Sequence, residues 1–124
     1  MDQKKVVYIA GPITGVDKYW EAFEQAEDYL LGLGYIPLSP AHLPEGMTKA
    51  QYARIDFAQI DSADAVLFLP GWEESEGAKL EKAYCRYISK PVAILKAASK
   101  DGVYPPKDIT LAWLKHDLEE VLSK

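Results

Sequence analysis

The chain has a single cysteine in 124 residues, Cys85. One thiol cannot close an internal disulfide, so a reducing, cytoplasmic setting is expected. Basic residues are outnumbered: 14 Lys and Arg against 19 Asp and Glu leave a net charge of -5. A nucleic-acid polymer is therefore not the expected partner, because binding to a phosphate backbone draws on a basic surface. That balance does not exclude a small nucleotide. Histidine is scarce as well. His42 and His116 lie far apart and no cysteine joins them at ligand spacing, so no metal is expected, and no other cofactor either. Long apolar runs are missing, since nothing approaches the roughly 20 residues that a membrane span needs. Met1 to Lys5 is polar, and the apolar run after it stops at Gly11-Pro12, so neither a leader peptide nor a membrane partner is expected.

What is present is a core. The sequence is 48% hydrophobic, enough to fill one domain spanning residues 1–124. Val6 to Ala10 reads as a buried strand ended by Gly11-Pro12. A helix is expected from about Val16 to Leu33, with Tyr19, Phe23, Ala26, Leu30 and Leu33 on one face and Gly32 and Gly34 at its end. Tyr35 to Leu38 reads as a short strand, placed at a sheet edge by Pro37. After a loop over Ser39 to Met47, a second helix is expected from near Thr48 to Ser62, with Ala53, Phe57 and Ile60 inward. Ala65 to Leu69 has no polar alternation, so both its faces are expected to be covered. A helix over Ser75 to Ser89, a strand over Val92 to Leu95, a surface loop over Ser99 to Pro106 and a last helix over Ile109 to Leu122 complete the chain. The last helix has Leu111, Leu114, Leu118 and Val121 on one stripe. Strand and helix alternate throughout, which implies a parallel sheet with helices on both faces. Ligands in such folds sit beyond the carboxyl ends of the strands. Those ends are Ala10 to Gly15, Ser39 to Pro44 and Pro70 to Gly77.

Glu81 is the first candidate there. On a helical wheel, Lys79, Lys82 and Arg86 form one solvated stripe, and Leu80, Ala83, Tyr84, Tyr87 and Ile88 occupy the opposite half. Glu81 lies about 130° from the basic stripe, between Tyr84 and Cys85. An acid on an apolar half is costly to ionise and easily tuned. A boundary glutamate paired with a lysine is the open alternative. Asp56 is the second candidate, with an Asp–Arg pair or a solvated face as its alternative. Asp61 and Asp64 read as structural.

The turn Gly11-Pro12-Ile13-Thr14-Gly15 would let backbone approach a ligand, although it is not GxGxxG and Pro12 removes a donor. Ser75 is a plausible N-cap with Gly77 just inside the helix, where exposed amides suit an anion. Glu73, Glu74 and Glu76 crowd that turn and oppose a phosphate dianion. Trp72 would stack on a base, or fold onto the core. Cys85 is expected to be a packed thiol.

These residues resemble a known family. Val7-Tyr8-Ile9-Ala10-Gly11-Pro12 is similar to the first-strand signature of nucleoside 2-deoxyribosyltransferases. The segments Ala63 to Leu69, Ser75 to Glu81 and Lys90-Pro91-Val92 are similar to the rest of the pattern, and also to that of the 2-deoxynucleoside 5-monophosphate N-hydrolases. The loop with Pro44, Gly46 and Met47 and the Pro70-Gly71-Trp72 segment resemble an uncharacterised bacterial and phage branch of that superfamily.

The resemblance implies a three-layer, doubly wound, flavodoxin-like or Rossmann-like α/β fold with a parallel sheet of about four to five strands. It implies a hydrolase or transferase acting at the N-glycosidic bond of a nucleoside or its 5-monophosphate. Glu81 would be the nucleophile that forms a covalent glycosyl-enzyme. Asp56 would handle the leaving base, and the Tyr8 hydroxyl would orient Glu81. A homodimer or higher homo-oligomer is implied as well. Ser75 stands where the transferases carry aspartate and the monophosphate hydrolases serine. Thr14 and Pro12 stand where those hydrolases carry arginine and serine, and one residue is added between Asp64 and Glu81. The substrate therefore stays open. Two other readings stay open beside it: a non-catalytic nucleotide-binding module, and a phosphoribohydrolase-like enzyme suggested by Pro70-Gly71 and Glu81.

Overall fold

A computed structural model describes residues 3–95 and 111–123. The strands are β1 (Val6–Ala10), β2 (Ile36–Leu38), β3 (Ala65–Phe68) and β4 (Val92–Ile94). They alternate with the helices α1 (Tyr19–Gly32), α2 (Lys49–Ser62), α3 (Glu76–Tyr87) and α4 (Leu111–Leu122). All strand pairs are parallel, in the order β2-β1-β3-β4. The expected edge position of β2 holds, with Pro37 in the edge strand.

Side chains alternate across a strand, so β1 feeds two cores. Val7 and Ile9 face Phe23 and Leu30 of α1 and Leu118 of α4. Tyr8 and Ala10 face Ile60 of α2 and Cys85 of α3. The result is the expected three-layer, doubly wound α/β/α fold. From β1 the chain adds β2 on one side and then crosses to add β3 and β4 on the other, which places a topological switch point at the carboxyl ends Ala10 and Phe68.

Several boundaries differ from the sequence expectation. α1 begins at Tyr19 rather than Val16, because Lys18 adopts a left-handed conformation (φ 52°) that helix geometry does not allow. Its end is a Schellman motif. The Gly34 N–H donates to the Leu31 carbonyl at 3.0 Å and the Tyr35 N–H to the Leu30 carbonyl at 2.9 Å. Gly34 supplies the positive φ of 89°. In α2 only Ile60 is fully buried, and Ala53 and Phe57 are half-buried.

The largest correction concerns α3. Its inward stripe is Ala78, Glu81 and Cys85. Leu80, Ala83, Tyr87 and Ile88 face solvent and Tyr84 is half-buried. The sheet face below carries Tyr8 and Phe68. Large rings there need small partners above them, and the Tyr8 hydroxyl needs an acceptor, so close packing outranks raw apolarity. The expected loop over Ser99 to Pro106 and the residues 109–110 of the last helix lie outside the described residues. Among the described side chains of α4, Leu118 is buried and Val121 packs against the core.

Candidate active site

Tyr8 sits in the middle of β1, fully buried on the face covered by α2 and α3. A phenol hydroxyl there requires a partner. The inward stripe of α3 supplies it: Tyr8 Oη donates a hydrogen bond to Glu81 Oε2. Glu81 is only 7% exposed. Burial pushes its carboxyl up to about 8, opposed by the Tyr8 hydrogen bond and assisted by the negative charge of Asp56. Asp56, half-buried on α2, is pushed up to about 6 by burial. The charges of Glu81 and Asp56 both act on Tyr8, whose hydroxyl is held well above its ordinary range, chiefly by burial. Tyr8 is therefore a neutral donor throughout the physiological range. Asp56 Oδ1 is buried and has no hydrogen-bond partner among the described residues. A buried acceptor of this kind is costly unless a ligand serves it. Two carboxyl groups and a phenol thus lie within electrostatic reach of one another in the low-dielectric layer between the sheet and the helices α2 and α3.

The structure brings Tyr8, Asp56 and Glu81 together, and gives the other predicted residues mainly structural contacts. Gly11 is buried, and a Cβ there would meet Leu69 Cβ at 3.0 Å. Its missing side chain serves packing. Pro12 is buried, and Ile13 packs toward the core on the α1 side. Thr14 and Gly15 are exposed, with Gly15 at φ 79°. Trp72 lies against Phe68 with ring centroids 5.4 Å apart, so its ring is folded onto the core and half-buried. Ser75 caps α3 by accepting from the Ala78 N–H at 3.2 Å. Gly77 is exposed, with open space where a Cβ would stand. Cys85 is packed as expected, and burial, then the charge of Glu81, raises its thiol to about 11. Asp64 is structural as expected, accepting from the Val6 N–H at 2.7 Å. Asp61 accepts from the Tyr84 hydroxyl at 2.7 Å.

Sequence reasoning missed one feature at the rim. Lys49 Nζ lies 3.7 Å from Glu76 Oε1, joining the first turns of α2 and α3. Both side chains are exposed, so the pair contributes little stability, and no sequence spacing announces it. Among the described residues no cluster of His, Cys, Asp and Glu is arranged to hold a metal, and no helix is long and apolar enough to cross a membrane. An open groove of about 450 Å³ lies on the far side of α2, lined by Leu38, Ile55, Ala58 and Gln59 among others. It includes neither Tyr8, Asp56 nor Glu81; its polar side chains are Arg54, Gln59 and Ser62.

A family model described as a domain of unknown function (DUF4406) matches residues 5–94, a span that holds Tyr8, Asp56 and Glu81. No curated protein matches the chain.

Proposed function

We propose that this chain, which belongs to the DUF4406 family, cleaves or transfers the N-glycosidic bond of a nucleoside, a deoxynucleoside or a 5-monophosphate of either. The observation that carries the reading is Glu81: a carboxylate held inward on α3, hydrogen-bonded by Tyr8 and beside a second carboxyl group. Perturbed titratable groups gathered at a switch point are a functional-site signature. The resemblance of the first strand and of the segment from Ser75 to Glu81 to nucleoside 2-deoxyribosyltransferases supplies the bond.

The chemistry divides between the two acids. One Glu81 oxygen attacks the anomeric carbon, the C–N bond breaks, and its electron pair leaves with the base. Asp56 donates the proton that makes the base a neutral leaving group. Water then attacks the same carbon, its proton returns to Asp56, and the Glu81 ester bond breaks, which is hydrolysis. A second base in place of water gives transfer. In the free protein Glu81 (about 8) holds its proton more tightly than Asp56 (about 6), so this route passes through the minor arrangement, with the charge on Glu81 and the proton on Asp56. The Tyr8 hydrogen bond favours that distribution because it stabilises the ionised form of Glu81. Cationic character developing on the sugar favours it further.

The test is base release from a panel of nucleosides and 5-monophosphates, followed by chromatography. Wild-type protein is expected to liberate base, and Glu81→Gln to abolish the activity with an unchanged far-UV circular dichroism spectrum. Saturable binding without turnover on every member would replace this reading with a binding module. Preference for ribose over deoxyribose would move it toward a phosphoribohydrolase.

A further inference from the structure

Tyr84 stands on α3 one turn beyond Glu81 and reaches across to α2 in two places. Its ring stacks on Phe57, with centroids 4.4 Å apart and planes 5° apart. Its hydroxyl donates to Asp61 Oδ1 at 2.7 Å. Phe57 and Asp61 are four residues apart, so they share one line along α2. Both rings are half-buried against the core that holds Tyr8 and Cys85. Phe57 follows Asp56 directly in α2. Each acid of the site thus lies within a turn of the place where its helix is held to the other.

The two contacts act differently. Two flat rings in parallel fix the separation of the helices but slide easily in their common plane. A hydroxyl bound to a carboxylate beyond the edge of the stack removes that sliding, because such a bond is short and directional. It is exposed to water, where one hydrogen bond adds little net stability; what it supplies is geometry. At the N-terminal ends the helices meet through the exposed Lys49–Glu76 pair, 3.7 Å apart, which constrains them weakly.

We propose that Tyr84, anchored by Asp61, is a positioning residue that fixes the distance between Asp56 and Glu81. That distance sets how strongly the two charges act on each other, and a proton donor and a nucleophile must flank one C–N bond. Glu81 is faced by Tyr8 from β1, by Asp56 from α2 and by Cys85 from its own helix. Of these three, Asp56 alone is carried by α2. Loosening the join lets two like charges move apart and leaves the Tyr8 hydrogen bond in place. The catalytic consequence rests on the glycosidic reading; the electrostatic one does not.

The test is the pH titration of the Glu81 carboxyl group, followed by carboxyl-carbon NMR in a double-mutant cycle. In the wild-type background Asp56→Asn is expected to lower the Glu81 midpoint, because the aspartate charge raises it. In a Tyr84→Ala background the same substitution is expected to shift it markedly less. Asp61→Ala, at an exposed position that leaves the core untouched, is expected to do the same. Asp61→Asn removes the charge but keeps an oxygen for the Tyr84 hydroxyl, and is expected to retain the full shift. In base release, Tyr84→Ala is expected to lower kcat about 100-fold with little change in KM, and Asp61→Asn to stay near the wild type. A full Asp56→Asn shift in both alanine variants, with only a lower melting temperature, would make Tyr84 a structural residue and overturn the proposal. A reduced shift in Asp61→Asn would overturn it too, since the hydrogen bond would then not be the cause. If the wild type releases no base, the glycosidic reading fails, and the titration cycle still decides whether Tyr84 positions the pair.

Discussion

At Glu81 three influences meet on one carboxyl group: burial and the charge of Asp56 raise its pKa, and the Tyr8 hydroxyl lowers it. Removing that hydroxyl in Tyr8→Phe therefore raises the Glu81 pKa and reduces its ionised fraction at neutral pH. The rising limb of kcat/KM against pH is expected to move to higher pH. Activity near neutrality should fall about 100-fold, the scale of a misplaced reacting group. A pH profile of the variant checks both. Asp56→Asn acts differently. It removes a charge that raises Glu81, and it removes the proton donor. Base release from an ordinary nucleoside is expected to fall about 10²–10⁴-fold, with much less loss on a substrate whose leaving group needs no proton. Equal losses on the two substrates would remove Asp56 from the acid role. The sequence discloses these residues unevenly. Glu81 is legible because it lies off the basic stripe, although the half of the wheel beside it turns to solvent. Asp56 is not separable by pattern from an Arg54 partner, and its unpartnered Oδ1 emerges only once α2 is laid beside β1.

Elements were more legible than faces. β1 and β3 announce themselves by unbroken apolar runs that end at Gly11-Pro12 and Pro70-Gly71, and both are buried throughout except Val6. Helix ends written in backbone chemistry are legible too. Thr48 caps α2 in a capping box, accepting from the Gln51 N–H at 3.1 Å while its own N–H donates to Gln51 Oε1 at 2.9 Å. The rotation of α3 is not legible, because a wheel ranks residues by apolarity and the sheet selects them by size. The cap yields a prediction about α2. Thr48→Ala leaves the Gln51 N–H without its side-chain acceptor and is expected to cost about 1 kcal/mol. The urea midpoint of unfolding should fall with its slope unchanged. α2 carries Asp56 about two turns beyond the Thr48 cap, so the substitution tests stability with little effect on the site's chemistry.

For the whole molecule, a buried carboxyl group makes folding depend on pH in a direction opposite to the ordinary one. A salt-bridged carboxylate stabilises the fold as pH rises; here burial raises Glu81 from 4.5 to about 8. Between those values the folded chain holds a proton that the unfolded chain has released. Stability therefore falls as pH climbs through that window, since the slope follows the difference in bound protons between the unfolded and folded states. Asp56, raised from 3.8 to about 6, adds a smaller loss of the same sign in the lower part of the range. Glu81→Gln deletes the larger contribution: the amide fills nearly the same volume, keeps an oxygen for the Tyr8 hydroxyl and has no proton to lose. The melting temperature of the wild type is expected to decline from pH 6 to pH 8.5, and that of Glu81→Gln to decline much less. The two should be close near pH 5, with the variant the more stable at pH 8.5. In a domain of this size each kcal/mol shifts the midpoint by about 4 °C, well within reach of thermal melts followed by circular dichroism. Parallel curves for the two proteins would mean that the residue-81 carboxyl group is solvated, and an ordinary surface glutamate has no special claim to attack a sugar.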